Sequence, residues 1–197
     1  MRALILVVWL VIPVVAWAYH RGPGQERLVL DDAARLLESA EQYAATERWA
    51  EADAKYEAAL ALLPADRLEE ARRVKLARAQ AQIEGGQLPQ AHQDLKTLVA
   101  DLQGDAAVDR PLLADAQRTL ANAQYYMTWL LRLEGEPETR WGPEIDAARQ
   151  TLRRLAEQSE SQGDRQATER DGEDLESAIR LARMDLHELQ GLPLPSQ

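Results

Sequence analysis

Between Ala33 and Asp66 the chain reads AARLLESAEQYAATERWAEADAKYEAALALLPAD, and the placing of large and small residues there constrains the fold more than anything else. Leu36, Ala40, Tyr43, Trp49, Ala52, Tyr56, Ala59 and Leu60 fall at helical spacings on the two sides of a short polar break. Residues three and four apart share a helix face, so the pattern predicts two helices folded against each other. Ala40, Ala52 and Ala59 are small enough to let the helices approach closely, and Tyr43, Trp49 and Tyr56 fill the space between them. Pro64 ends the second helix, because it lacks an N–H and clashes with the preceding turn.

This register resembles a tetratricopeptide repeat (TPR), a helix–turn–helix unit of about 34 residues. Glu47 departs from it, standing in the turn where the family usually has glycine. A weaker second unit follows. Its first helix, about Arg67 to Glu84, carries Leu68, Ala71, Val74, Leu76, Ala77, Ala81 and Ile83, with Lys75 in place of an apolar residue. Gly85-Gly86 makes the turn, and a helix from Pro89 to Leu102 presents Ala91, Leu95, Leu98, Val99 and Leu102. Gly104 to Arg110 connects to a third, expanded unit. That unit has a helix from Pro111 to Leu133, a loop with Gly135, Pro137, Gly142 and Pro143, and a helix from Glu144 to Glu160. The resemblance implies an all-α fold, an α-solenoid of about three TPR-like hairpins with a C-terminal closing helix.

Residues 28–160 hold the repeats, starting near Leu28–Asp32 with Asp31 or Asp32 as helix cap. No large apolar residue occurs from Glu157 to Asp174, so residues 161–173 are expected to be a polar linker. Residues 174–191 are expected to be the closing helix, with Leu175, Ile179, Ala182, Leu186 and Leu189 as its stripe. Residues 192–197, LPLPSQ, read as a disordered tail.

Ala3 to Ala18 is the one uniformly apolar run, preceded by Arg2. It has the parts of a signal peptide, with an A-x-A site at Ala16-Trp17-Ala18 and Pro13 breaking the helix ahead of it. The alternative is a retained membrane anchor, with Trp17 and Tyr19 at the far interface. Residues 19–27, containing Gly22, Pro23 and Gly24, read as a linker. Both readings export the repeats, which would be periplasmic or anchored in the cytoplasmic membrane and facing outward. Membrane contact is expected only through residues 1–18, if they are uncleaved.

With 33 acidic against 23 basic side chains, the net charge of −10 opposes nucleic-acid binding. The chain has no cysteine, which excludes disulfides, a thiol nucleophile and thiolate metal ligands. His20, His92 and His187 are scattered, and His92 and Asp94, two apart on a helix, point to different sides. They read as solvent-facing residues, and neither a metal nor a cofactor is expected. Glu38-Ser39 and Glu176-Ser177 match the dipeptide of lytic transglycosylases without its surroundings. A helical cell-wall hydrolase is therefore a remote alternative, and the protein is expected not to be an enzyme.

The resemblance implies a binding site instead, a concave groove lined by the first helix of each hairpin. In the first hairpin the groove positions fall on Leu37, Glu41 and Ala44, in the second on Arg73, Leu76, Gln80 and Ile83, in the third on Arg118, Asn122 and Tyr125. Arg73, Gln80, Arg118, Asn122 and Tyr125 are the candidate partner-binding residues. Arg118 and Asn122 share a helix face and resemble part of a clamp for a partner's C-terminal carboxylate. A second candidate surface is Tyr126 with Trp129. The apolar residues from Tyr125 to Leu133 cover almost the whole circumference of a helix, so this segment is either an exposed aromatic patch or wrapped by the Trp141 loop and the closing helix. Arg67, Arg72, Arg73, Lys75 and Arg78 read as a solvated face pairing with Glu69 and Glu70. The implied function is a protein-binding scaffold or assembly factor. The alternative is a structural subunit of a membrane complex that uses its repeats only for packing.

Overall fold

The computed structural model describes residues 23–190. These form eight helices and no strand: α1 (Pro23–Ala45), α2 (Trp49–Leu62), α3 (Leu68–Glu84), α4 (Leu88–Gln103), α5 (Arg110–Leu133), α6 (Glu138–Gln162), α7 (Arg165–Arg183) and α8 (Leu186–Gln190). Every helix from α1 to α7 packs chiefly on its neighbours in sequence. Beyond those pairs, α3 touches α5, and α5 touches α7 and α8, so from α3 onward alternate helices meet along one side. That is an all-α helical-repeat fold, in which each unit buries its apolar face on the next. The apolar run 3–18 and the tail 192–197 lie outside the described residues. Among those described, no helix is long and apolar enough to cross a membrane.

The hairpin turns repeat one backbone geometry. Arg48, Gln87 and Glu136 each donate their N–H five residues back, to the carbonyls of Tyr43, Gln82 and Leu131, at 2.9, 2.7 and 2.9 Å. The residue before each donor takes a left-handed conformation: Glu47 at φ 58°, Gly86 at 75° and Gly135 at 77°. This closure satisfies carbonyls that the helix end leaves without partners. The α6–α7 junction closes in the same way at Gly163, φ 74°. Gly85 is fixed by a different demand, since a Cβ there would lie 3.0 Å from Trp49 Cβ and 3.1 Å from the Ala81 carbonyl oxygen.

The core follows the register of the first hairpin. Ala40, Ala52, Tyr56, Val74 and Ala81 form a buried cluster across α1, α2 and α3, with Tyr43, Trp49 and Leu60 against it. A second cluster joins α3, α4 and α5 through Leu76, Leu95, Leu98, Leu102, Leu112 and Ala116. A third joins α5 to α8 through Trp129, Ile145, Leu152, Leu181 and Leu189.

Several expectations are corrected. Asp31 and Asp32 lie inside α1, not at its start, because the helix already runs from Pro23. The expanded loop is only Glu134–Pro137, and Gly142-Pro143 sits inside α6. Pro143 loses one helical hydrogen bond there, but Thr139, whose carbonyl it would have used, is exposed and open to water. Residues 161–173 are helix on both sides of a two-residue turn, with Asp164 capping α7 through a bond from the Ala167 N–H at 3.1 Å. Of the expected closing stripe, Leu175, Ala182 and Leu189 do pack on the core, beside Ala178 and Leu181, but the chain breaks at Met184-Asp185 before α8, leaving Leu186 45% exposed.

Two readings of polar residues also change. His92 is buried, with Nε2 at 2.9 Å from Glu144 Oε2, which Gln124 also approaches at 3.2 Å. Arg72 is buried too, and donates to Asp101 at 2.8 Å and Asp105 at 2.6 Å rather than to Glu69 or Glu70. Arg78 reaches across to Asp53 at 2.7 Å and Glu57 at 3.2 Å. Arg72 and Arg78 thus tie α3 to α4 and to α2.

Candidate functional site

The groove candidates lie on the side that α3, α5 and α7 share, but the structure does not bring them into one site. Arg73 pairs with Asp109 at 3.0 Å and is exposed, while Gln80 stands 3.5 Å from the Thr119 hydroxyl. Both sit on the seam between α3 and α5. Asn122 and Tyr125 lie one and two turns further along α5, where they meet α7.

Arg118 is already paired within the chain. Its Nε donates to Asp171 Oδ1 at 2.6 Å, its Nη2 to Asp171 Oδ2 at 3.2 Å, and its Nη1 to Asp115 at 2.8 Å. The Asp171 side chain is 0% exposed and also accepts from the Ser159 hydroxyl at 3.0 Å. Burial disfavours the Asp171 charge, but bonding to Arg118, its positive field, the Ser159 hydroxyl and Arg170 outweigh that, so the carboxyl is held below its usual range. This arrangement corrects the reading of Arg118 as a free partner-binding residue: the carboxylate it holds belongs to α7. The signal was present in the sequence, since Asp171 falls one turn ahead of Leu175 on the same stripe.

The aromatic segment divides. Trp129 is 5% exposed and packs with Ile145, Leu152 and Leu181, so it is not part of a surface patch. Of the two alternatives, wrapping is the one the structure adopts. Trp141 covers the segment from α6, and its ring lies 4.7 Å from the Arg132 guanidinium. Arg132 is buried, and donates to the carbonyls of Leu181 and Met184 at the end of α7. A cation there satisfies carbonyls that have no helical partner and complements the negative helix end.

Tyr125 and Tyr126 remain half-buried and pack edge to face, with ring centres 5.5 Å apart and planes at 78°. With Ala121, Asn122, Leu152, Asp174 and Ser177 they line an open cavity of about 250 Å³ between α5 and α7. The Tyr126 phenol is pushed up by burial, and further by the negative charges of Glu84 on α3, then Asp174 on α7. Burial also raises Tyr125, against the field of Arg180. Both rings therefore stay neutral well above physiological pH, each offering a donor and a face. Asp174 and Ser177 are the parts that sequence reasoning missed, because each is an ordinary polar residue of a solvated helix until α7 is folded against α5. A second open cavity, of about 270 Å³, lies between the starts of α5 and α7 and the end of α6, with Arg110, Arg118, Arg170, Asp115 and Asp164 in its wall. Its central cation is the paired Arg118.

Glu176, half of one candidate catalytic dipeptide, pairs with Arg180 at 2.9 Å on the exposed side of α7. Glu38 is exposed on α1. No family model and no curated protein matches the chain.

Proposed function

We propose that this protein is a non-catalytic scaffold that takes a segment of a partner protein onto the face shared by α3, α5 and α7, exported by the segment 1–18. The observation that carries the reading is the open cavity between α5 and α7, with two half-buried tyrosines, an amide and a hydroxyl in its wall. Tyrosine is enriched where interfaces concentrate their energy, since it buries a large ring and keeps a polar tip. The neighbouring helices supply rigid walls, as helical repeats do for extended partners. The TPR-like register of residues 33–66 supports the same reading, and the net charge of −10 favours protein over nucleic acid.

A photo-crosslinking residue at position 125, set against one at the exposed outer position Gln93 of α4, tests this in the native cell. Recovery of one partner protein from position 125 and not from position 93 is the expected result. Equal recovery, or none at 125, would move binding away from this face. Mass spectrometry of the mature N-terminus tests export: a chain beginning at Tyr19 fits cleavage, and one retaining Met1 in the membrane fraction fits an anchor. Met1 in a fraction that never meets a membrane rejects export.

A further inference from the structure

We infer that the α5–α7 cavity takes a lysine or arginine side chain of the partner, between the tyrosine pair and the carboxylate of Asp174. This rests on the binding face proposed above and adds the chemistry of what it binds. Three observations carry it. First, Asp174 lines the cavity and lacks an ion-pair partner among the described residues, whereas the acids of several helix seams are paired. Second, the negative charges of Glu84 on α3 and Asp174 on α7 both act on the Tyr126 phenol. Third, the two tyrosine rings stand edge to face at the cavity wall, and aromatic rings attract ammonium and guanidinium groups.

The charges around Asp174 sharpen the case. Asp174 is raised first by burial, then by Asp171, and opposed by Arg170 and Arg118, with Glu173 adding a further negative charge. Arg118 is already committed to Asp171 and Asp115, and Arg170 lies 3.7 Å from Asp171. Arg180, the cation that acts on Tyr125, is held by Glu176. The chain thus leaves a carboxylate at the cavity wall without a cation of its own. A partner's lysine or arginine supplies one, with the tyrosine rings beside it. An incoming carboxylate would meet two negative charges with no free guanidinium to receive it.

Selection of random linear peptides displayed on phage against the full chain tests this, with Tyr125→Ala as counter-selection to keep only binders that use the cavity. The expected survivors are enriched in lysine and arginine. They should lose about tenfold in affinity for Asp174→Asn, and nothing comparable for Glu157→Gln, an outer-surface acid giving the same change in net charge. A tenfold loss corresponds to about 1.4 kcal/mol. Two results overturn the inference while leaving the binding face intact: survivors without basic residues, or basic survivors that bind Asp174→Asn as well as the parent. Equal losses with Asp174→Asn and Glu157→Gln would show attraction to the acidic surface at large, and also overturn it. If no binder depends on Tyr125, both this inference and the proposed face fail.

Discussion

Two residues show how local chemistry decides where this chain is rigid. Asp171 is a charged side chain with 0% exposure, kept ionised by Arg118 and Ser159. Breaking a buried pair leaves one charge without compensation, which costs about 3–5 kcal/mol. Arg118→Ala is therefore expected to destabilise by about that amount, although as a surface residue it would have been expected to cost about 0.5 kcal/mol or less. Urea unfolding of Arg118→Ala, Asp171→Ala and the double variant checks this. The double variant should lose much less than the sum of the singles, because the second substitution removes the charge orphaned by the first. An additive result would mean the two groups do not interact. Glu47 is the opposite case, a side chain held at φ 58° where the equivalent turns use Gly86 and Gly135. A non-glycine residue pays about 1–2 kcal/mol for a left-handed conformation, and glycine loses part of that advantage through its freer unfolded chain. Glu47→Gly should accordingly raise stability by up to about 1 kcal/mol, read as a shift in thermal midpoint. Gly86→Ala should lower stability, by strain alone, since its Cβ would meet nothing within 4 Å.

At the level of helices, α7 is held by polar ties as much as by apolar packing. Arg118 grips its middle through Asp171, and Arg132 caps its end through Leu181 and Met184. This explains what was legible in the sequence. The hairpin α1–α2 could be read because alanine and aromatic spacing reports packing directly, and Ala40, Ala52 and Ala59 all prove to be buried. The stretch 161–173 could not, because a polar sequence looks the same whether its carboxylates face water or a buried guanidinium. His92 was misread for a similar reason: its place in the stripe of Leu88, Leu95 and Val99 was visible, but its acceptor, Glu144, lies on a different helix. The cavity was half legible, with Asn122 and Tyr125 placed by repeat register and the α7 side hidden behind the mistaken linker. The same ties set an acid response. Glu144 is lowered chiefly by its bond to His92, against burial, with Lys96 and Gln124 assisting, and Asp171 is lowered by Arg118. Groups with depressed folded values contribute stability above their ordinary values, here 4.5 and 3.8, and lose it as pH falls through the lower folded values. Asp174 has the opposite sign: its raised value means that ionisation opposes folding, so protonation on mild acidification relieves a strain. Stability measured by urea unfolding should thus change little until the carboxylates titrate and fall steeply below about 4. In Asp171→Asn the steep fall should be shallower. A steady decline from neutral pH in the parent would contradict this account.

As a whole the molecule is a line of units in which each helix leans on its neighbours in sequence, so its energetics should be local. Three core clusters succeed one another along the chain, with Ala81 in the first, Leu76 and Ala123 in the second and Ala121 in the third. In such an array stability is close to a sum of unit terms and nearest-neighbour interface terms, and damage to one end need not reach the other. Tyr56 is the sharpest probe of the first cluster, being a buried ring against Ala40, Ala52, Val74 and Ala81. Tyr56→Ala should leave a cavity and cost about 3 kcal/mol or more, and Ala52→Leu about 1–3 kcal/mol by overpacking. Amide hydrogen exchange then reports where that loss is felt. In Tyr56→Ala, protection is expected to fall across α1, α2 and the first half of α3, while α6 and α7 exchange as in the parent. The proposed binding at the α5–α7 cavity should also persist, because Tyr125 and Tyr126 rest on the third cluster and α7 on the Arg118–Asp171 tie, neither of which includes Tyr56. A uniform loss of protection from α1 to α7 would instead show one cooperative unit, in which the binding face depends on the integrity of the first hairpin.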